Sequence, residues 1–340
     1  LPLYDADDVE RTLPLFSELD FDTPRTLAPG CELTLRPAGH ILGSATALVE
    51  IDGCRVLFSG DLGRPYHPLL KPPADPPAAE VVVVESTYGD RVHPQADSGA
   101  LADAINRTAA RGGTVLIPAF AVDRTELVLL DLHRLTRTGQ IPRMPVFVDS
   151  PMALRALEVY RRALDGESAQ LREEARELAE AFEHLDLHPV RDPQQSERLN
   201  MPAFPCILVS ASGMATGGRV VHHLQHQLPD PRNCVVLTGY QAIGTRGRSL
   251  LDGARALKMY GRYVPVRAEI VNVDTFSVHA DADELVGWLA RMPRPPATAY
   301  VVHGEPRSSA ALVARLRDEL DWCAVAPHAG ERVRLVRRGE

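Results

Sequence analysis

The chain has 340 residues, of which 45% are hydrophobic and 24% are charged. This length and composition are typical of a globular protein with two domains and a large buried core. The sequence contains no apolar stretch long enough for a transmembrane helix, so we expect no membrane partner. The formal net charge of −8 means that the protein as a whole repels nucleic acid at long range.

The five cysteines are scattered and form no C-x-x-C pair. They lie at Cys31, Cys54, Cys206, Cys234 and Cys323. This distribution argues against a disulfide framework and against a thiolate zinc site. It indicates a reducing compartment, and we expect a cytoplasmic protein.

The first hundred residues predict mainly strands. A short helix is expected within residues 1–20, with Asp5 or Asp7 as its cap and Pro14 as the point where it ends or kinks. Strands are predicted at residues 31–36, 45–51, 55–61 and 81–85. The proline-rich residues 64–80 predict a surface loop.

From residue 91 onward helices and strands alternate, which predicts a mostly parallel α/β sheet. Helices are expected at residues 99–110, 124–137, from 151, at 166–186, at the segment that carries His222, His223 and His226, and at 282–291 and 308–320. Strands are expected at residues 114–120, 145–149, 206–210, 235–238, 268–275, 299–302 and 333–336.

The four valines at 81–84 predict a strand buried on both faces, and this strand ends on Glu85. A carboxylate at the mouth of a buried strand is held rigidly, where enzymes place acids and metal ligands. A strand that simply meets solvent at Glu85 is an equally good interpretation of this stretch taken alone.

Five positions share one pattern, in which an apolar strand is followed by a residue that can bind metal. They are His40, Asp61, Glu85, His279 and His303. Because strand ends from one sheet converge at one edge, these side chains can meet. Neutral imidazoles together with carboxylates suit Zn²⁺. Each histidine alone is more often structural, but five in one pattern favour a metal site.

The sequence around these residues resembles the β-CASP branch of the metallo-β-lactamase superfamily. The motifs are Gly-His-Ile-Leu-Gly-Ser-Ala, Ser-Gly-Asp-Leu-Gly, Glu-Ser-Thr-Tyr-Gly-Asp-Arg, Ser-Val-His-Ala-Asp and Val-Val-His-Gly-Glu. More narrowly, the chain is similar to RNases related to the pre-mRNA 3′-end cleavage endonuclease. The resemblance implies an α/β fold, in which an incomplete metallo-β-lactamase αββα sandwich carries an inserted β-CASP domain. The implied domains are 1–97 and 259–340 (metallo-β-lactamase) and 98–258 (β-CASP).

The resemblance also implies a role for each of the five residues. His40 and His303 are similar to zinc ligands, and Asp61 to the carboxylate that bridges two zinc ions. His279 resembles the histidine that acts as general acid, and Glu85 the acid that orients it. The implied reaction is zinc-dependent hydrolysis of RNA, with water activated by two metal ions and products that carry 5′-phosphate and 3′-hydroxyl ends.

Two glycine-rich loops of the implied β-CASP domain are predicted to contact RNA. The residues concerned are Ser212, Gly213, Gly217, Gly218, Arg219, Gln241, Thr245 and Arg248. Backbone amides in such loops suit a phosphate group. Residues 240–267 are also basic, with Asp252 as their single acidic residue. A solvated basic face is the alternative interpretation. The histidines at 222, 223 and 226 are interpreted as structural.

The strongest motif of the family, His-x-His-x-Asp-His, is absent from these 340 residues. We therefore expect a ribonuclease that lacks its N-terminal part and is inactive, or nearly so, as this fragment. The alternative is a non-catalytic RNA-binding or scaffold relative of the same family. A small-molecule metallohydrolase fits poorly, because such enzymes lack the insert with Arg219 and Arg248. Members of the family often dimerise, which leaves a homodimer open.

Overall fold

The computed structural model describes residues 3–93, 99–166 and 168–335. The strands of these residues are β1 (Arg25–Ala28), β2 (Cys31–Pro37), β3 (Ala45–Ile51), β4 (Cys54–Phe58), β5 (Val81–Glu85), β6 (Thr114–Pro118), β7 (Val146–Asp149), β8 (Leu187–Pro189), β9 (Cys206–Ser210), β10 (Cys234–Thr238), β11 (Ala256–Met259), β12 (Arg262–Pro265), β13 (Glu269–Val273), β14 (Thr298–Val302) and β15 (Ala324–Val325). They form two large sheets and one two-stranded hairpin.

The helices are α1 (Ala6–Thr12), α2 (Gly99–Ala110), α3 (Arg124–Arg137), α4 (Pro151–Asp165), α5 (Arg176–His184), α6 (Pro193–Arg198), α7 (Arg219–Gln227), α8 (Arg246–Leu251), α9 (Ala282–Ala290) and α10 (Pro306–Leu320). Asp5 caps α1, because its side chain accepts a hydrogen bond from the amide of Asp8. A 3₁₀ turn that contains Pro14 follows directly. Across the described residues, the helices are too short or too polar to cross a membrane.

The first sheet has the strand order β1-β2-β3-β4-β5-β14-β15. Strands β1 to β4 are antiparallel neighbours, whereas β4, β5, β14 and β15 run parallel. The valine strand β5 lies inside the sheet, and helices α9 and α10 pack against it through Leu285 and Leu312, both fully buried. Val82 and Val84 are buried, while Val83 on the opposite face is half-buried. Val81 and Glu85, on the same face as Val83, are also buried, so β5 is buried on both faces as the sequence predicts.

The second sheet has the strand order β13-β10-β6-β9-β7-β8, and every pair in it is parallel. This confirms the parallel α/β region predicted from the alternating pattern. Strand β13 lies beyond the predicted boundary at residue 258 and still pairs with β10. The other predicted boundary, between residues 97 and 98, falls outside the described residues. The division into domains therefore stays a prediction.

Two predicted elements differ in the structure. The helix predicted at 166–186 is replaced by a 3₁₀ turn (Glu173–Ala175) and the shorter helix α5. The reason is tertiary, since Gln170 and Arg172 form backbone hydrogen bonds with Lys71 and Leu69 of the proline-rich loop. The predicted strand 333–336 is also wrong where it can be examined, because residues 333–335 form no strand and residue 336 lies outside the described part. Strand β15 pairs with β14 instead.

Glu126 on helix α3 is fully buried, and neither of its carboxylate oxygens has a hydrogen-bond partner among the described residues. Burial, and then the charge of Asp123, raise the pKa of Glu126 well above its usual range. A carboxyl group with a raised folded-state pKa binds its proton more tightly when folded. It therefore reduces stability increasingly as the pH rises above the pKa of the unfolded chain.

We therefore predict that Glu126→Gln stabilises the protein at pH 8 by on the order of 1 kcal/mol, and that this gain disappears near pH 5. Chemical denaturation at both pH values measures the effect. Glu183→Gln is the control, because Glu183 is exposed. An equal effect of both substitutions at pH 8 would contradict the prediction.

Candidate metal centre and active site

The five residues of the predicted metal pattern lie together at one edge of the first sheet. His40 follows β2, Asp61 follows β4, and Glu85 is the last residue of β5. His303 follows β14, whose last residue Val302 pairs with Glu85. His279 precedes α9, and its ring centre lies 4.3 Å from that of His40 and 6.4 Å from that of His303.

Glu85 and His279 form the most buried polar pair of this group. The Nδ1 atom of His279 lies 3.2 Å from both carboxylate oxygens of Glu85. The amide of Leu62 and the hydroxyl of Thr87 each donate a hydrogen bond of 2.6 Å to Glu85. Burial opposes ionisation, but these donors, with His279 first, lower the pKa of Glu85 overall. Glu85 is therefore an ionised acceptor that fixes the orientation of the His279 ring.

Asp61 lies between the two other histidines. One of its oxygens is 3.9 Å from Nε2 of His40, and the other is 3.3 Å from Nδ1 of His303. Burial, and then neighbouring His279, lower the pKa of His40 to about 4, so its ring is neutral at pH 7. The buried Nδ1 atom of His40 also has no hydrogen-bond partner within the described residues.

These features fit a metal ion. Possible ligand atoms of His40, Asp61 and His279 lie within 4.8 Å of one another, and so do those of Asp61, Glu85 and His303. A neutral imidazole and a carboxylate whose two oxygens face different histidines are the donor types that zinc requires. Among the five, Glu85 already accepts hydrogen bonds from three groups. His40, Asp61 and His303 therefore stay the predicted metal-holding positions.

Two glycines allow the loops of the site to approach closely. A Cβ atom on Gly63 would lie 1.7 Å from the carbonyl oxygen of Gly39, next to His40. A Cβ atom on Gly304 would lie 2.3 Å from Oγ of Ser86, next to His303. Larger residues at either position would push the loops that carry the histidines away from the sheet edge.

Two residues that were not predicted from the sequence support the pair of Glu85 and His279. Thr87 donates to Glu85, as described above. His93 donates through Nε2 to the main-chain oxygen of His279 (3.0 Å), and its amide donates to Asp281. Both residues follow Glu85 by a few positions, in and just after the quoted Glu-Ser-Thr-Tyr-Gly-Asp-Arg motif. That proximity is the signal that would have identified them.

The site opens into a cleft of about 930 Å³ between the two sheets. His40, Asp61, His279 and His303 line one wall. Loops of the second sheet line the other wall through Phe120, Arg124, Met214, Tyr240 and Ile243. The amide of Ile243 donates to Glu305, which links the two walls (3.2 Å). The candidate metal centre therefore faces the space between the two sheets.

The first of the predicted RNA loops packs tightly against the second sheet. Gly213 is buried, and a Cβ atom there would lie 2.8 Å from the ring of Phe120. The hydroxyl of Ser212 accepts a hydrogen bond from the amide of Thr216. Arg219 donates to buried Asp149, while Gly217 and Gly218 are exposed. The guanidinium of Arg219 thus already has an internal partner.

The second predicted RNA loop lies beside the first. Gln241 is buried and donates to the main-chain oxygens of Gly213 and Gly239, so it fastens the two loops together. Thr245 caps α8, and Arg248 forms an ion pair with Asp252. The structure brings the predicted residues into two adjacent loops. Their contact with RNA stays a prediction.

The three histidines interpreted as structural lie on helix α7. His223 is buried, with Nε2 2.6 Å from Asp149. His222 stacks against Tyr260 on the surface, with a ring separation of 4.8 Å. These contacts agree with a structural role for His223 and His222.

Comparison with known proteins gives matches over most of the chain. The model of the Beta-Casp domain matches residues 125–250, and that of the Zn-dependent metallo-hydrolase RNA specificity domain matches residues 263–327. Ribonuclease TTHA0252 of Thermus thermophilus is 36% identical over 92% of this chain and 71% of its own length. An RNase J-like protein of Methanocaldococcus jannaschii is 31% identical over 89% of this chain and 70% of its own length. Transcription termination factor FttA of Pyrococcus abyssi is 33% identical over 98% of this chain, which spans 53% of that relative.

The matched domains place the chain among the metallo-hydrolases, and its two sheets enclose a histidine- and carboxylate-lined cleft. The chain belongs to the β-CASP branch of the metallo-β-lactamase superfamily, a family that includes nucleases. This confirms the resemblance and the fold class inferred from the sequence motifs.

The close approach at Gly304 leads to a prediction about stability. Gly304→Ala is expected to destabilise the protein by about 1–3 kcal/mol, because the new methyl group overlaps Ser86 beneath His303. Gly287→Ala is the matched control, since nothing lies within 4 Å of a Cβ atom there and Gly287 is inside helix α9. It is expected to stabilise by roughly 0.5–1 kcal/mol. Denaturant titration of both variants measures the difference, and a Gly304→Ala variant as stable as the parent would refute the overlap.

Proposed function

We propose that the protein is a zinc-dependent ribonuclease of the β-CASP family. The observation that carries this proposal is that Asp61 lies between His40 and His303, while His279, held by buried Glu85, lines the same cleft. The relatives named ribonuclease and RNase J-like protein support RNA as the substrate. The family model named for a Zn-dependent metallo-hydrolase supports zinc as the metal.

In this proposal His40, Asp61 and His303 would hold the metal ions. Two zinc ions, when bound, would lower the pKa of a water molecule and neutralise the oxygens of the phosphate group. The residues of the chain supply the remaining chemistry. Nδ1 of His279 faces Glu85, so Nε2 is the atom that would donate a proton to the leaving oxygen of the RNA. Thr87 and the amide of Leu62 keep Glu85 ionised and fixed.

In this proposal water attacks the phosphorus and O3′ is the leaving oxygen that is protonated, so the products carry 3′-hydroxyl and 5′-phosphate ends. Analysis of both ends of the cleaved RNA tests this part of the proposal. A cyclic 2′,3′-phosphate on the upstream product would refute hydrolysis by an activated water molecule.

We further propose that this 340-residue chain is inactive, or nearly so, by itself. Three ligand residues cannot complete two four-coordinate zinc sites. The family motif His-x-His-x-Asp-His, which would supply further ligands, does not occur in the sequence. A relative that keeps the cleft and binds RNA without cleaving it is the alternative function, and the incomplete ligand set is the observation that favours it.

We also place the protein in the cytoplasm. All five cysteines are free thiols in the structure, and Cys206 and Cys234 are buried. Free cysteines support a reducing compartment. A homodimer stays a prediction.

The zinc content and RNA cleavage of this chain can be compared directly with those of a version extended upstream in its genomic reading frame. We expect about two zinc ions and cleavage for the extended protein, and little of either for this chain. Metal analysis and gel assays of a labelled RNA measure both. Cleavage by this chain at the rate of the extended protein would refute the inactivity proposal. RNA binding by both proteins without zinc or cleavage would favour the non-catalytic alternative.

Substitutions in the extended protein separate metal binding from proton transfer. His279→Ala is expected to reduce kcat by about 10²–10⁴ while the zinc content stays unchanged, because general acid catalysis typically contributes this much. Asp61→Ala is the contrasting variant and is expected to lose zinc together with activity. Loss of zinc in His279→Ala as well would show that His279 is a ligand and would overturn its assignment as the acid.

A further inference from the structure

The hairpin formed by β11 and β12 presents one face to the protein and the other to solvent. Leu257 and Val264 pair across the hairpin and are buried in the core of the second sheet. Lys258 and Tyr263 also pair across it, on the exposed face. Tyr260 at the turn has a φ of 47°. The hairpin is thus anchored by apolar contacts while its outer face stays free of packing.

The cations on and beside this hairpin have no acidic partner. They are Arg255, Lys258, Arg262 and Arg267, all of them exposed. Within residues 3–93, 99–166 and 168–335, none of the four forms an ion pair or a side-chain hydrogen bond. By contrast, neighbouring Arg248 is paired with Asp252. Lys258 lies on the outer face beside Tyr263, whereas Arg262 is opposite Met259 at the end of the hairpin. Unpaired positive charge grouped on a protein with a net charge of −8 matches a polyanion.

Aromatic rings lie among these cations. Tyr263 is 75% exposed and Tyr260 is 55% exposed. The hydroxyl of Tyr260 lies 2.9 Å from Nε2 of His222, on which its ring stacks. Tyr263 has no ring partner in the described part of the chain, so its face is open. An exposed aromatic ring between cations is the arrangement on which bases of single-stranded RNA stack.

A small cavity connects the hairpin with the two loops beside the active-site cleft. Its volume is about 370 Å³, and its lining includes Lys258, Arg246, Thr245 and Thr216. Arg246 donates to the main-chain oxygens of Ala215 and Thr216, but its buried Nε atom has no partner among the described residues. The cavity therefore offers hydroxyl groups and positive charge to an anion.

The same two loops line the large cleft. Met214 and Ile243 face the cleft, whereas Thr216 and Thr245, two residues further along each loop, face the small cavity. Two residues span at most about 7 Å. An RNA strand that leaves the cleft across these loops therefore reaches the cavity first and the hairpin next.

We infer that the small cavity and the exposed residues of the hairpin form a second RNA-binding subsite, away from the scissile bond. Arg246 and Lys258 contact a phosphate group there, and Arg262 contacts the backbone further along. A base stacks on Tyr263. This inference rests on the proposed function, since it assumes that the substrate in the cleft is RNA.

Binding of single-stranded RNA oligonucleotides of increasing length to the full 340-residue chain tests the inference. The affinity of the parent is expected to rise once the oligonucleotide is long enough to extend beyond the cleft. Lys258→Ala/Arg262→Ala should remove this gain and reduce the salt dependence of binding by about 0.7 in slope for each lost phosphate contact. Tyr263→Ala should weaken binding of the long oligonucleotide by at least roughly fivefold, and Tyr263→Phe should restore it. Fluorescence anisotropy measures each affinity.

Arg143→Ala/Arg294→Ala is the control, because both residues are exposed, have no ion pair in the described chain and lie outside the hairpin. It removes the same charge and is expected to leave the length dependence unchanged. If the control and the hairpin variant lose the same RNA affinity, net charge alone explains the loss and the proposed subsite is refuted. Parent-like binding by both hairpin variants would also overturn it. Failure of the proposed function has a separate readout, since it appears as absence of RNA cleavage by the extended protein.

Discussion

The hydrogen bonds that converge on Glu85 determine how the rest of the site is arranged. Glu85 ends the buried strand β5 and binds His279, Thr87 and the amide of Leu62 at once. Those three contacts come from three separate parts of the chain. Nδ1 of His279 contacts Glu85, whereas His40 and His303 face the two oxygens of Asp61. One buried carboxylate thereby separates the candidate acid from the candidate metal ligands.

The cleft depends on contacts that hold the two sheets together. His67 in the proline-rich loop of the first half lies 2.9 Å from Asp123, which follows β6 of the second sheet. Tyr160 on α4 donates to the same carboxylate, and all three side chains are almost completely buried. Charge from His67 and the hydrogen bonds outweigh burial and lower the pKa of Asp123. A buried, satisfied network of this kind fixes the relative position of its elements.

In and near the loops of the second sheet, the residues that stabilise the fold differ from those that are available to contact a substrate. Gln241, Gly213 and Arg219 have internal partners, so their primary contribution is to shape and fasten the loops. Lys258 and Arg262, which have no ion pair in the described part of the chain, lie further along, on the hairpin at 256–265. The residues that shape the glycine-rich loops therefore differ from those that are free to contact a substrate. We propose that the hairpin supplies such contacts.

The sequence by itself located the candidate metal and acid residues, because His40, Asp61, Glu85 and His303 all lie at or just after the ends of strands with strong local patterns. It also identified the parallel sheet, since strand and helix periodicities alternate clearly from β6 to β10. Tertiary structure alone decided which residues contact each other. The family resemblance implied that Glu85 orients His279, but the contact depends on the fold, because the loop after β4 pairs with the segment around His279 and the amide of Ala280 donates to Leu62. Residues 170–172, in the first part of the predicted helix 166–186, pair with residues 69–71 instead of forming a helix. Long-range backbone hydrogen bonds there outweigh local helix propensity.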